Sequence, residues 1–159
     1  MWCPCGSGLN YSACCQLLHL GQEIAQSAEQ LMRSRYSAYV LQEIDYIVKT
    51  TAPSQQKLLD QQAIATWSKQ TKWDGLDVIA DHSKLGKNHA QVEFKAYYLA
   101  PTVADSAIRD AHHERSAFVK IAEHWYFIDP TVALPTMKQP CLCGSQKKFK
   151  LCCYPCLTD

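Results

Sequence analysis

The chain has 159 residues, 47% of them hydrophobic and 19% charged, with 16 Lys and Arg against 15 Asp and Glu. This length suits one ordinary domain with a buried core, and the apolar content excludes wholesale disorder. A net charge of +1 argues against a protein whose whole surface binds nucleic acid, and no apolar run reaches the roughly 18–20 residues of a membrane helix. The opening Met1-Trp2-Cys3-Pro4-Cys5 lacks the basic and apolar stretches of a secretory leader, so the expected address is the cytoplasm.

The first predicted element is a cysteine module. Cys3, Cys5, Cys14 and Cys15 stand in Cys3-Pro4-Cys5-Gly6-Ser7-Gly8-Leu9-Asn10-Tyr11-Ser12-Ala13-Cys14-Cys15. Ser27-x-x-Gln30 reads as a capping box before a helix over 28–41. Ala28, Leu31, Met32, Tyr36, Tyr39 and Val40 share one face of that helix at helical spacing. A short helix is expected over 43–49. Pro53-Ser54 is a break, and a third helix is expected over 55–70, burying Leu58, Leu59, Ala63 and Trp67.

After Trp73-Asp74-Gly75 the hydrophobic period changes to two. Leu76, Val78 and Ala80 mark a first strand, and Leu85-Gly86-Lys87-Asn88 supplies a turn. Val92, Phe94, Ala96 and Tyr98 mark a second strand, and 101–111 reads as a long connection. Arg115, Ala117, Val119 and Ile121 share one face of a third strand. Ala122-Glu123 is a tight turn into a fourth over 124–128. Helices followed by hairpin-linked strands imply an α+β fold, with about three helices on one face of a four-stranded antiparallel sheet.

The chain closes on a second cysteine module, Cys141-Leu142-Cys143-Gly144-Ser145-Gln146-Lys147-Lys148-Phe149-Lys150-Leu151-Cys152-Cys153. Both modules read C-x-C-G-S-x3-aromatic-x2-C-C, and no cysteine lies between them. Thirteen residues cannot bury a core, so something else must order each module. Four thiolates on one tetrahedral Zn2+ would do so, giving two structural zinc ions per chain, with disulfides or unpaired thiols as the alternative. A zinc ion with four thiolates carries a formal charge of −2. Lys147, Lys148 and Lys150 lie inside the second loop, where the first has Leu9, Asn10 and Ser12. They serve either to offset that charge or as a small RNA-binding patch. Cys156 is the odd cysteine, open to reading as a spare ligand, a reactive thiol or a residue without a role.

These modules resemble the SEC-C motif, named after the zinc-binding C-terminal tail of the SecA export ATPase. Between them, Gln30-Leu31-Met32-Arg33-Ser34-Arg35-Tyr36-Ser37-Ala38-Tyr39, Asp45-Tyr46, Glu114-Arg115-Ser116 and Trp125-Tyr126-Phe127-Ile128-Asp129 resemble bacterial YchJ-type proteins. The resemblance implies a SEC-C module over 1–20, an NTF2-like domain over 21–136 and a second SEC-C module over 137–159. It also implies docking of a protein partner such as a ribosome or a secretion chaperone, and an NTF2-like cone enclosing a pocket. By the same analogy the open face of the sheet is where a second copy would dimerise.

Within that cone Arg35 is the most informative residue. At about 100° per residue it falls between Leu31 and Tyr39 on the apolar stripe, whereas Arg33 points away. Arg115 shares its parity with Ala117, Val119 and Ile121. An arginine on a buried face needs a partner, and Asp45, Glu93, Glu114 and Asp129 are the carboxylates available. Two readings follow: a salt-bridge network joining helix to sheet, or a pocket in which Arg35 holds an anionic ligand with help from Tyr39 or Tyr126. His113 and His124 are acid–base candidates. Adjacent His112 and His113 suit a metal poorly, since a strand points them to opposite faces. Tyr97-Tyr98 and Trp125-Tyr126-Phe127 fit either base stacking or the filling of the cone. Three functions are thus expected in order: a non-enzymatic zinc adapter, a small-molecule enzyme or binding protein using the pocket, and RNA binding through 147–150.

Overall fold

Ser27 has extended backbone and its hydroxyl accepts the Gln30 N–H at 3.0 Å, so the longest helix starts where the capping pattern places it. The computed structural model describes residues 1–82, 85–101 and 107–158. In chain order the elements are α1 (Cys15–His19), α2 (Ala28–Leu41), α3 (Ile44–Lys49), α4 (Gln61–Gln70), β1 (Trp73–His82), β2 (His89–Pro101), β3 (Ala107–Ile121) and β4 (His124–Ile128). The four strands form one antiparallel sheet in sequence order. No helix among the described residues is long and apolar enough to cross a membrane.

The register gives the sheet two different faces. On the inner face Ala90 pairs with Phe118, and these pack with Val92, Phe94, Leu76, Val78, Trp125 and Phe127 against Leu31, Met32 and Ala38 of α2. On the outer face Gln91 pairs with Ala117, His89 with Val119, and Ala117 in turn with Ile128. The stripe of Ala117, Val119 and Ile121 therefore does share a face, but not the helical one. It is covered by the C-terminal cysteine module, through Phe149, Cys141, Cys153 and Cys156. The face that the NTF2-like analogy assigns to a second copy is thus partly covered by the chain itself.

The N-terminal module packs on the opposite side of α2. Arg33 donates to the Cys5 carbonyl at 2.8 Å, and His19 Nε2 lies 2.8 Å from the Ser34 carbonyl oxygen. Covered on two sides, α2 buries Ser34, Arg35 and Ser37 as well as its apolar stripe.

Two expected elements change. The helix expected over 55–70 is broken: Pro53–Leu58 is a 3-10 segment, Leu59 is extended, and the Asp60 carboxylate caps α4 by accepting from Ala63 N at 3.0 Å. Asp favours a cap over a helix interior because its short side chain competes for backbone N–H groups. The break turns α4, so Leu58 and Trp67 are 47% and 41% exposed. Ala63 is also exposed, Leu59 is half-buried, and Ser68 is buried instead, donating to the Tyr39 carbonyl. Of the connection expected over 101–111, residues 107–111 belong to β3, paired with β2 as far as Pro101↔Ala107, and 102–106 lie outside the described residues. The tight turn at Ala122-Glu123 is present, with φ of 47° and 67°, the left-handed pair that a two-residue hairpin requires.

Because Phe149 is 1% exposed and sits between the C-terminal module and the outer face, Phe149→Ala is expected to destabilise the whole chain by about 3–5 kcal/mol. Denaturant unfolding followed by intrinsic fluorescence reads this. A loss confined to the metal module, with the body unchanged, would show that the two do not share a core.

Candidate metal centres and a central cavity

Each module is built by one set of backbone hydrogen bonds used twice. Cys3 N donates to Leu9 O and Cys141 N to Lys147 O, both at 2.8 Å. Cys14 N donates to Tyr11 O at 3.0 Å and Cys152 N to Phe149 O at 3.1 Å. Gly6 and Gly144 turn the chain with φ of 77° and 80°. Gln146 adopts φ 68° where Gly8 has 79°, so the same turn is made at a cost that glycine avoids.

These turns gather the sulfurs. In each set of four the Sγ atoms lie within 4.8 Å of one another. Cys5–Cys14 is 3.7 Å, Cys14–Cys15 3.9 Å and Cys143–Cys152 3.5 Å. All nine cysteines are free thiols. Sulfurs bound about 2.3 Å from one tetrahedral ion stand about 3.8 Å apart, so both sets fit a metal ion and neither is a disulfide. Hydroxyls are placed to support sulfur: Ser7 Oγ is 3.3 Å from Cys14 Sγ and Ser145 Oγ is 3.2 Å from Cys152 Sγ.

Without a cation the four sulfurs cannot all be charged. A hydrogen bond from Cys15 lowers the Cys5 thiol to about 4, against the opposing effect of burial and with help from Ser7 and Cys3. Cys15 is pushed up because it donates to Cys5 and is buried. In the second set burial acts upward on Cys143, but hydrogen bonds from Ser145, Cys152 and Cys141 outweigh it and lower the thiol. Burial raises Cys152 to about 11 and raises Cys153 further. A divalent ion would displace these protons.

The body also contributes to each cluster, by residues the spacing gave no reason to choose. Ser37 Oγ on α2 is 3.6 Å from Cys3 Sγ, and His89 Nε2 on β2 is 3.3 Å from Cys153 Sγ. The aromatic of the motif lies against the sulfurs in both copies: Tyr11 packs with Cys14 against the first cluster and Phe149 is buried against the second. Cys156 is not a ligand. It is 3% exposed and its thiol donates to the Ala90 carbonyl at 3.1 Å, which makes it part of the seam between module and sheet. Lys147, Lys148 and Lys150 are exposed.

Between α2, α4 and the inner face lies a cavity of about 530 Å3. Arg35, Tyr39, Glu114 and Asp129 line it together, with Trp67, Trp73 and His112, which the sequence reading did not assign to the pocket. Among the described residues Arg35 has no carboxylate partner. It donates to the Ile47 carbonyl and the Thr50 and Thr51 hydroxyls, and its guanidinium lies 4.4 Å from the centre of the Phe127 ring. Burial pulls its pKa below the ordinary value, opposed by Tyr39, Tyr46, Asp129 and Glu114. Arg115 borders the cavity, but its guanidinium pairs with Glu93 at 3.5 Å, in the Glu93↔Arg115 register of the outer face. Tyr126 is not in the cavity. It packs on the outer face with the C-terminal module, because its neighbour Phe127 takes the inner side. His113 pairs with Glu93 at 2.6 Å on the surface, and His124 is exposed.

The comparisons with known proteins agree with this arrangement. The family model described as YchJ, middle NTF2-like domain, matches residues 27–130, and that of the SEC-C motif matches residues 3–17 and 137–155. A UPF0225 protein of Haemophilus influenzae (strain PittEE) is 54% identical over 95% of this chain and 91% of its own. One from Actinobacillus succinogenes is 50% identical over 95% of both. The crystal structure of a SEC-C motif containing protein from Psychrobacter arcticus is similar with a TM-score of 0.85 and 51% identity, covering 95% of this chain and 94% of that one. The solution structure of a SEC-C motif containing protein from Rhodopseudomonas palustris gives 0.71 and 37%, covering 81% and 96%.

His19 joins the first module to α2. Its Nδ1 is 2.7 Å from the Tyr11 hydroxyl while Nε2 faces the Ser34 carbonyl, and burial lowers its pKa below 6.5. As pH falls below that ordinary value the unfolded chain takes up the proton first, so stability is lost on acidification. The wild-type melting temperature is expected to fall more between about pH 7 and pH 5.5 than that of His19→Gln, which keeps a donor and an acceptor but does not titrate. Parallel curves would remove His19 from the acid response.

Proposed function

The chain belongs to the YchJ-type family of an NTF2-like domain with SEC-C motifs, and from that premise we propose that it is a two-zinc adapter. In this reading its metal modules present two different docking surfaces to protein partners of the translation or secretion machinery. Zinc suits four thiolates in a reducing cytoplasm, and a closed four-cysteine site leaves no position open for catalysis. One observation carries the reading: modules with the same inner design differ outside. The first exposes Met1, Trp2 and Leu9 by 72%, 73% and 52%, on two segments hydrogen-bonded to each other through Tyr11 N to Met1 O and Cys3 N to Leu9 O. The second has Gln139, Pro140 and Lys147 at the same places. Tryptophan is among the residue types enriched at interface hot spots.

Deleting a whole module is a poor test, because each one seals a face of the body. Surface substitutions are cleaner. Native mass spectrometry of reduced, untagged protein is expected to give two zinc ions per chain. Iron, with its charge-transfer colour, or no metal would overturn the zinc assignment. Trp2→Ser with Leu9→Ser is expected to weaken co-sedimentation with ribosomes or capture by purified secretion chaperones about tenfold or more, with metal content unchanged. Association insensitive to that pair but lost on replacing Lys147, Lys148 and Lys150 by alanine, with a steep salt dependence, would favour RNA instead.

A further inference from the structure

The adapter reading leaves the central cavity unused, and the cavity contains a feature that a merely structural core avoids. Arg35 is 7% exposed, and its three hydrogen bonds all leave from NH1: to Ile47 O at 2.8 Å, Thr50 Oγ1 at 2.7 Å and Thr51 Oγ1 at 3.4 Å. Its Nε and NH2 have no acceptor among the described residues. No buried side-chain nitrogen or oxygen among them is left without a partner, so those two groups are not sealed in protein but open to the cavity that Arg35 lines. The Nε–NH2 edge is the side of a guanidinium that grips a carboxylate with two parallel hydrogen bonds.

The walls restrict the ligand. Among the described residues the lining holds two arginines, Arg35 and Arg115, and Arg115 pairs with Glu93. Glu114 and Asp129 stand on the same lining, so a second negative charge on the ligand would be opposed rather than neutralised. The remaining surface is mostly apolar, from Met32, Ile64 and Phe94 to Phe127. One part is an aromatic wall, in which Trp67 and Trp73 meet edge to face at 5.2 Å and Tyr39 lies 5.2 Å from Trp67. About 530 Å3 is within the range of small-molecule sites. We propose that this cavity is a binding site for a monocarboxylate with an aromatic body, its carboxylate on the Nε–NH2 edge of Arg35 and its ring against Trp67 and Trp73.

The site is independent of the docking surfaces, and its test uses the intact, metal-loaded chain. The probes are 3-phenylpropionate, its neutral amide, and inorganic phosphate, followed by tryptophan fluorescence and isothermal titration calorimetry. The acid is expected to bind saturably and to change the fluorescence of the lining tryptophans. The amide is expected to bind at least tenfold more weakly, and phosphate to have no effect. Arg35→Met is expected to lose the preference for acid over amide. Should that variant not fold, the acid–amide comparison on the wild-type chain still decides the matter, and Ala96→Leu, which narrows the cavity from the sheet side, is expected to weaken the acid without touching Arg35. Equal binding of acid and amide, phosphate competing with the acid, or no saturable response up to about 1 mM would each overturn the proposal.

Discussion

The structure depends on holding four sulfurs within 4.8 Å of one another, twice. Neither module has a core of its own, and in each the sulfurs compete for a small number of protons. A hydrogen bond from Cys15 lowers the Cys5 thiol and raises that of Cys15. A divalent cation would take the place of the shared protons, bound by the four sulfurs, and its affinity would then become folding energy. The clusters are also tied to the body. Ser37 and His89 reach the clusters from the body, and Arg33 and Gln91 hold module carbonyls at 2.8 and 2.7 Å. Cysteine cluster, module and body are therefore linked by direct hydrogen bonds.

That linkage explains α2. A helix lying on a sheet ordinarily turns a polar face to water. Here the back of α2 meets the first module, so Ser34 and Ser37 are fully buried, each with a defined partner. Ser34 Oγ bonds the Leu31 carbonyl and lies 2.7 Å from the Tyr46 hydroxyl. Buried hydroxyls of this kind are tolerated only when satisfied, and the module is what closes the site around them.

Much of this was legible in the sequence. The repeat pointed to two sites able to hold a metal ion, because thirteen residues with four cysteines cannot bury a core of their own. The helical phase placed Arg35 on the buried stripe of α2, and period two together with the Ala122-Glu123 turn located the four strands. What the sequence could not supply was which face of a strand is covered, and by what. Parity groups Ala117, Val119 and Ile121 but is silent on whether helices or the C-terminal module cover them, and the same ambiguity put Tyr126 with Arg35 rather than behind the sheet. The break at Asp60 had a local signal, a capping residue inside an apparent helical run, that the apolar spacing of Leu58, Leu59 and Ala63 obscured. His89 and Ser37 carried no signal at all, since a side chain that supports a metal ligand from another element has no fixed spacing to it.

The cavity follows from the same division of labour. Close-packed interiors resist voids, since each unfilled volume forfeits dispersion contacts and hydrophobic burial. A buried guanidinium adds a desolvation cost that neutral oxygens from Ile47, Thr50 and Thr51 only partly offset. A body that holds both features draws stability from elsewhere, and two cysteine modules covering the outer face of the sheet and the back of α2 are such a source. Larger side chains, or a carboxylate hydrogen-bonded to Arg35, would be the simpler route to a stable core. Instead Glu114 and Asp129 stand on the same lining, and among the described residues neither bonds the guanidinium, while the modules cover the outer face of the sheet and the back of α2.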